Sequence, residues 1–168
     1  MNFDGIATFL NRLTLRQAVW LFPIAYALHI LEEAPQFPSW AQRYASQAFT
    51  PRDFLTINSV GIALAVLYAL LISRYPRKWS VILFFSLGLA PGMFFNILFH
   101  VGATAAYGVY CPGLITALVI YPPVFVFLSR LAYQEHFLTG RTSLMAFAFA
   151  GAFHTLEVGI DVFKIRPW

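Results

Sequence analysis

Charge is what this sequence has least of. Only 11 per cent of its 168 residues are Asp, Glu, Lys or Arg, against about 25 per cent in an average soluble domain, while 60 per cent are hydrophobic. That poverty of charge, with a positive mean hydropathy, excludes an ordinary soluble domain and implies an integral membrane protein. Cysteine is almost absent: Cys111 stands alone, which excludes an internal disulfide and any Cys-rich metal site. No polar stretch is long enough to fold separately, so residues 1–168 are expected to form a single membrane domain. The N-terminus lacks the basic start and small-residue cleavage site of a secretory signal. The net charge of +4 comes from basic residues scattered among the loops, which fits contact with membrane lipids and no nucleic acid.

Hydrophobic runs set the expected architecture, an all-α polytopic bundle. Apolar segments cover residues 17–34, 54–73, 79–107, 111–133 and 143–163, which predicts about five transmembrane helices. Gly88, Pro91 and Gly92 give the third a reason to kink. Two interfacial amphipathic helices are expected beside them. One carries Phe3, Ile6, Leu10 and Leu13 on its apolar face; the other lies in residues 35–53, with Trp40, Tyr44 and Ala48 at i, i+4, i+8, as a lid or an aromatic anchor. Five spans put the termini on opposite sides. Arg12, Arg16, Arg74, Arg77, Lys78, Arg130 and Arg141 then face Arg43, Arg52, Lys164 and Arg166 across the membrane, seven against four, which favours a cytoplasmic N-terminus.

Against this apolar background three ionisable motifs stand out: His29-x-x-Glu32-Glu33, Asn96-x-x-x-His100 and His154-x-x-Glu157. Such residues are costly inside a bilayer and mark function by default. Spans one, three and five run in the same direction, and in each the motif falls in the later half. At about 1.5 Å per residue His29 lies roughly 18 Å into its span and His154 roughly 17 Å. Asn58 and Ser59 in the second span, and Cys111 and Thr116 in the fourth, share that layer, towards the face opposite the N-terminus. Residues three or four apart share a helix face, so Glu32 and Glu33 flank His29, Asn96 accompanies His100, and Glu157 and Asp161 continue from His154.

So many buried polar groups require neutralisation, and one or two divalent metal ions would supply it. The expected ligands are His29, Glu32, Glu33, His100, His154 and Glu157, with Glu32 ranked above Glu33, and with Asn96, Asn58 and Asp161 around them. Asn58 and Asn96 also suit interhelical hydrogen bonding, and Asp161 an interfacial ion pair with Lys164. His136, beside Glu135, reads as solvated and unrelated. Nitrogen and oxygen donors suit iron, zinc or manganese and argue against copper(I) and iron–sulfur clusters.

The ordered set His29-Ile-Leu-Glu32-Glu33, Asn96-Ile-Leu-Phe-His100, Tyr110-Cys-Pro112-Gly113 and His154-Thr-Leu-Glu157 resembles the bacterial HXXEE membrane-protein family. The resemblance covers nearly the whole chain. It implies a small polytopic protein of the bacterial inner membrane with a metal site, in a family without an assigned activity. A weaker likeness is to the intramembrane glutamate proteases of the CAAX-processing and abortive-infection type. Those carry Arg after the Glu pair, where this chain has Ala34, and Phe at the position of Asn96.

Two chemistries suit the cluster. Two iron ions bridged by carboxylates could oxidise a lipophilic substrate, since paired His and Glu on several helices build di-iron sites. Alternatively one zinc could activate water, with Glu33 or Glu32 as general base, on a lipid ester, amide or phosphate. The near balance of His and carboxylate favours the oxidative, two-iron reading. The Tyr121-Pro122-Pro123 interruption suggests a cavity beside the fourth span. Other classes remain: a divalent cation or proton transporter, which a homo-oligomer would have to complete, and a non-catalytic scaffold.

Overall fold

The computed structural model describes residues 12–165. Helices account for the regular structure there, and no strand occurs among the described residues. They are α1 (Leu15–Ala18), α2 (Leu21–Glu33), α3 (Phe37–Tyr44), α4 (Pro51–Arg74), α5 (Lys78–Phe84), a π-helical segment (Phe85–Phe95), α6 (Asn96–Tyr107), α7 (Leu114–Val119), α8 (Tyr121–Gln134) and α9 (Gly140–Asp161). The interfacial helix expected on Phe3, Ile6 and Leu10 lies outside the described residues.

Among the described residues, three helical rods are long and apolar enough to cross a membrane: Pro51–Arg74, Lys78–Tyr107 and Gly140–Asp161. The first and fourth expected spans are instead broken rods, and proline explains both breaks. A proline ring clashes with the carbonyl four residues earlier. For Pro23 that residue is Val19, where α1 gives way to α2; for Pro122 and Pro123 it is Leu118 and Val119, just before the break at Ile120 between α7 and α8. The longest unbroken runs are then 13 residues in α2 and 14 in α8. In the rod Lys78–Tyr107 the expected kink takes another form. Pro91 has no N–H to donate, and the helix widens to π geometry over Phe85–Phe95 with Pro91 inside it. Wide turns of this kind are rare and cluster at functional sites.

The π segment is the hub. It packs along α9 and also against α8 and α4, while α2 packs against α4, α7 and α8. Its core includes Phe84, Phe85, Leu89, Met93, Leu128 and Ala150. A second, aromatic cluster of Phe37, Trp40, Phe49 and Phe54 closes the other end. There α3 tucks Phe37, Trp40 and Ala41 inward, so the segment expected to lie at the interface roofs the polar residues; Ala48 falls in the turns after α3.

Candidate metal site

His29 and Glu33 lie one turn apart on α2, and α6 brings His100 against them. His29 is 1 per cent exposed, His100 0 per cent and Glu33 7 per cent. His29 Nε2 stands 3.5 Å from Glu33 Oε1, and His100 Nε2 stands 3.4 Å from the same oxygen. Neither Nε2 has a hydrogen-bond partner. One ligand atom from each of the three residues falls within 4.8 Å of the others, so this group could hold a metal ion.

The separations say what kind of contact this is. A charge-assisted N–H···O bond spans about 2.7–2.9 Å, so 3.4 and 3.5 Å are too long for one. Donor atoms about 2.0–2.1 Å from a shared four-coordinate centre lie about 3.3–3.4 Å apart, whereas neighbours on an octahedron of that radius lie about 2.8–3.0 Å apart. The two histidine–glutamate edges match the tetrahedral value.

Both imidazoles are held from behind by residues 110–116. Thr116 Oγ1 lies 2.7 Å from His29 Nδ1 and donates its proton to Gly113 O at 3.2 Å. With its proton on that carbonyl, Thr116 accepts from Nδ1–H, and the lone pair of His29 is then on Nε2. Cys111 Sγ lies 3.3 Å from His100 Nδ1 and also faces Pro112 O. With the thiol proton turned to that carbonyl, 3.9 Å away, the sulfur accepts from Nδ1–H and the His100 lone pair is likewise on Nε2. Outer partners of this kind fix the tautomer and orientation of metal-binding imidazoles.

Gly113 allows the bracket to approach so closely. Its φ is +102°, and a Cβ there would sit 2.6 Å from His100 Cε1, 2.7 Å from His29 Cε1 and 3.0 Å from Glu33 Cγ. Only glycine combines that backbone with that space.

Glu32 has a different place from Glu33. Its Oε1 accepts from the N–H groups of Gly113 (3.2 Å) and Ile115 (3.0 Å), its Oε2 from Thr116 N (2.7 Å), and the Tyr110 hydroxyl donates to it as well. These amides open α7, where the first-turn N–H groups have no partner within the helix. Partial burial, and then the bond to Glu32, push the Tyr110 hydroxyl up to about 12, so it remains a donor at neutral pH. Glu32, expected to rank first of the pair as a ligand, is committed to anchoring residues 110–116; Glu33 takes the position between the imidazoles.

His154 and Glu157 form a separate pair on α9, with Nδ1 and Oε2 3.7 Å apart, and they fall outside the group of three. They line the same cavity of about 180 Å³ as His29 and Glu33. His154 Nε2 and Asn96 Oδ1 are buried there without hydrogen-bond partners. Asn58 also lines it, accepting from the Tyr26 hydroxyl at 3.1 Å and donating to Phe54 O at 3.0 Å. Asp161 stands at the cavity edge, but Lys164 pairs with Asp53, at 3.2 Å, rather than with Asp161. His136 is an exposed turn residue with a φ of +60°.

Sequence reasoning placed Thr116 and Cys111 in the right layer without a role, and gave Tyr110 and Gly113 only as part of a familiar motif. Tyr121 was missed as a site residue: its ring packs 4.7 Å from that of His29, and its hydroxyl is buried without a partner. The Pro-Gly pair before a short helix was the available signal for the bracket.

A family model described as a protein of unknown function with HXXEE motif matches residues 20–128. The matched segment holds His29, Glu32, Glu33, His100 and the whole bracket, while His154 and Glu157 lie beyond it. No curated protein and no solved structure matches the chain. The likeness to intramembrane glutamate proteases gains no support from these findings.

Proposed function

The chain belongs to the HXXEE family, and we propose that it is a membrane-embedded metal-dependent hydrolase in which His29, His100 and Glu33 hold one divalent ion. One observation carries this reading: two imidazole nitrogens, on rings backed by Thr116 and Cys111, face one buried carboxylate oxygen at 3.4 and 3.5 Å. Two His and one carboxylate with a fourth position open is a known donor set for catalytic zinc. The 3.4 and 3.5 Å edges suit tetrahedral zinc better than octahedral iron or manganese, and so favour hydrolysis over the oxidative reading that donor balance alone suggested. An ion so held supplies a water of lowered pKa and polarises a carbonyl.

The residues around it divide the remaining work. Glu33 is within reach of both imidazoles and offers its second oxygen to a proton. His154 and Glu157, which line the same cavity, are placed to accept or return a proton at His154 Nε2, which has no other partner. Phe37 and Phe99 pack on His100 and keep bulk water away, which strengthens every charge interaction inside. The substrate is lipophilic and arrives from the membrane, within a five-span topology with a cytoplasmic N-terminus and the site towards the opposite face of a bacterial inner membrane.

Elemental analysis of detergent-purified protein tests this. One zinc per chain is expected, lost in His29→Ala and His100→Ala and retained in His154→Ala. A second reading, a two-iron oxidative centre, draws on the His154–Glu157 pair across the same cavity; it requires two iron ions per chain and the loss of one in His154→Ala. Folded wild type without any metal would overturn both.

A further inference from the structure

The cavity extends well beyond the metal-binding group, and its two ends differ. One end is polar, with Glu33, Asn96, His154 and Glu157; the other is apolar, with Leu64, Tyr68, Leu87 and Gly88. Along α4 it reaches from Phe54 to Tyr68, fourteen residues or about 21 Å of helix. About 180 Å³ spread over that length makes a narrow slot. It is also smaller than the roughly 300–1,000 Å³ of pockets that enclose a drug-sized ligand, so a lipid could place only part of itself inside.

The slot has a side exit. Helices α4 and α9 both wall it but hardly touch each other. Near the Asp53 end of α4 they are joined by Lys164, which pairs with Asp53 and sits over the Phe49 ring. Farther along, Leu64 lines the slot while remaining 47 per cent exposed. Both helices have membrane-spanning length and apolarity, so the gap at Leu64 faces hydrocarbon. The absence of a side chain at Gly88 keeps the apolar end open: a Cβ there would come 3.3 Å from the Tyr68 ring and 3.2 Å from Phe84.

We propose that this slot binds the head end of an unbranched acyl chain, with the carbonyl among Glu33, Asn96 and His154 and the chain leaving past Gly88 and Leu64 into the bilayer. The occupant is a single-chain acyl lipid, since a slot this narrow excludes a sterol or a branched chain. This rests on the hydrolase reading only for the fate of the carbonyl; the binding itself does not need the metal.

The test uses full-length protein in nanodiscs and the fluorescent fatty acid 11-(dansylamino)undecanoic acid, whose bulky label sits at the far end of the chain. Saturable binding is expected, displaced by dodecanoic acid and by its methyl ester but not by cholesterol. Gly88→Leu, which fills the apolar end, should weaken binding at least about tenfold with metal content unchanged. Leu64→Trp, at an exposed rim position that leaves the core intact, should weaken it too and guards against a folding defect in the first variant. Wild type that keeps its metal but shows no saturable binding overturns the slot and leaves the metal reading standing, as does equal displacement by cholesterol or wild-type affinity in both variants. Saturable binding to metal-free protein supports the slot and removes the hydrolase reading.

Discussion

At the scale of single residues, the two adjacent glutamates of the HXXEE motif make opposite predictions. Glu33→Gln removes a carboxylate from the metal group but leaves an amide of the same shape, so metal should be lost while the thermal midpoint of the metal-free protein changes little. Glu32→Ala strips four donors of their acceptor. Hydrogen bonds to a charged group are worth about 1.5–3 kcal/mol each, and even with water replacing some of them a loss of about 2 kcal/mol or more is expected, read by denaturant unfolding in detergent. Gly113→Ala combines a positive φ with contacts under 3 Å to both imidazoles. Strained backbone and overpacking each cost about 1–3 kcal/mol, so it should lower both stability and metal content. That His29 and His100 meet beside a glutamate of the first motif was legible from helical spacing and span direction. Which glutamate faces the imidazoles was not, because Glu32 and Glu33 flank His29 almost equally on a lone helix. The choice is made by where residues 110–116 dock, a tertiary fact without a local pattern.

At the scale of elements, proline decides most of what the apolar runs leave open. Residues 54–73, 79–107 and 143–163 read as long helices, and long helical rods cover them, the last ending at Asp161, since no proline falls inside the first and third and the π segment absorbs Pro91. Residues 17–34 and 111–133 are as apolar, yet Pro23 and the Pro122–Pro123 pair break them. The second break is useful: it lets the short α7 turn its first amides to Glu32 and its Thr116 to His29. Helix α4 begins at a capping box in which Thr50 Oγ1 accepts from Asp53 N at 3.1 Å and Thr50 N donates to Asp53 Oδ2 at 2.8 Å. Thr50→Ala should therefore cost about 1 kcal/mol, seen as a small fall in the thermal midpoint without loss of metal. A loss of metal in that variant would place the start of α4 in the site rather than beside it.

At the scale of the whole molecule, the polar residues gather towards one end of an otherwise apolar bundle, under a roof of Phe37, Trp40, Phe49 and Phe99. A reporter fused after Trp168 should be active outside the cytoplasm, and cytoplasmic activity would reverse the side from which the site is reached. The central claim is a single ion held by two imidazoles and one carboxylate. An X-ray absorption spectrum of the metal-loaded protein tests it most directly. The expected spectrum has two imidazoles and light oxygen donors in a four-coordinate first shell, without sulfur and without a metal–metal vector at about 3.5–4 Å. A second metal at that distance, a third imidazole from His154, or a sulfur from Cys111 would contradict it.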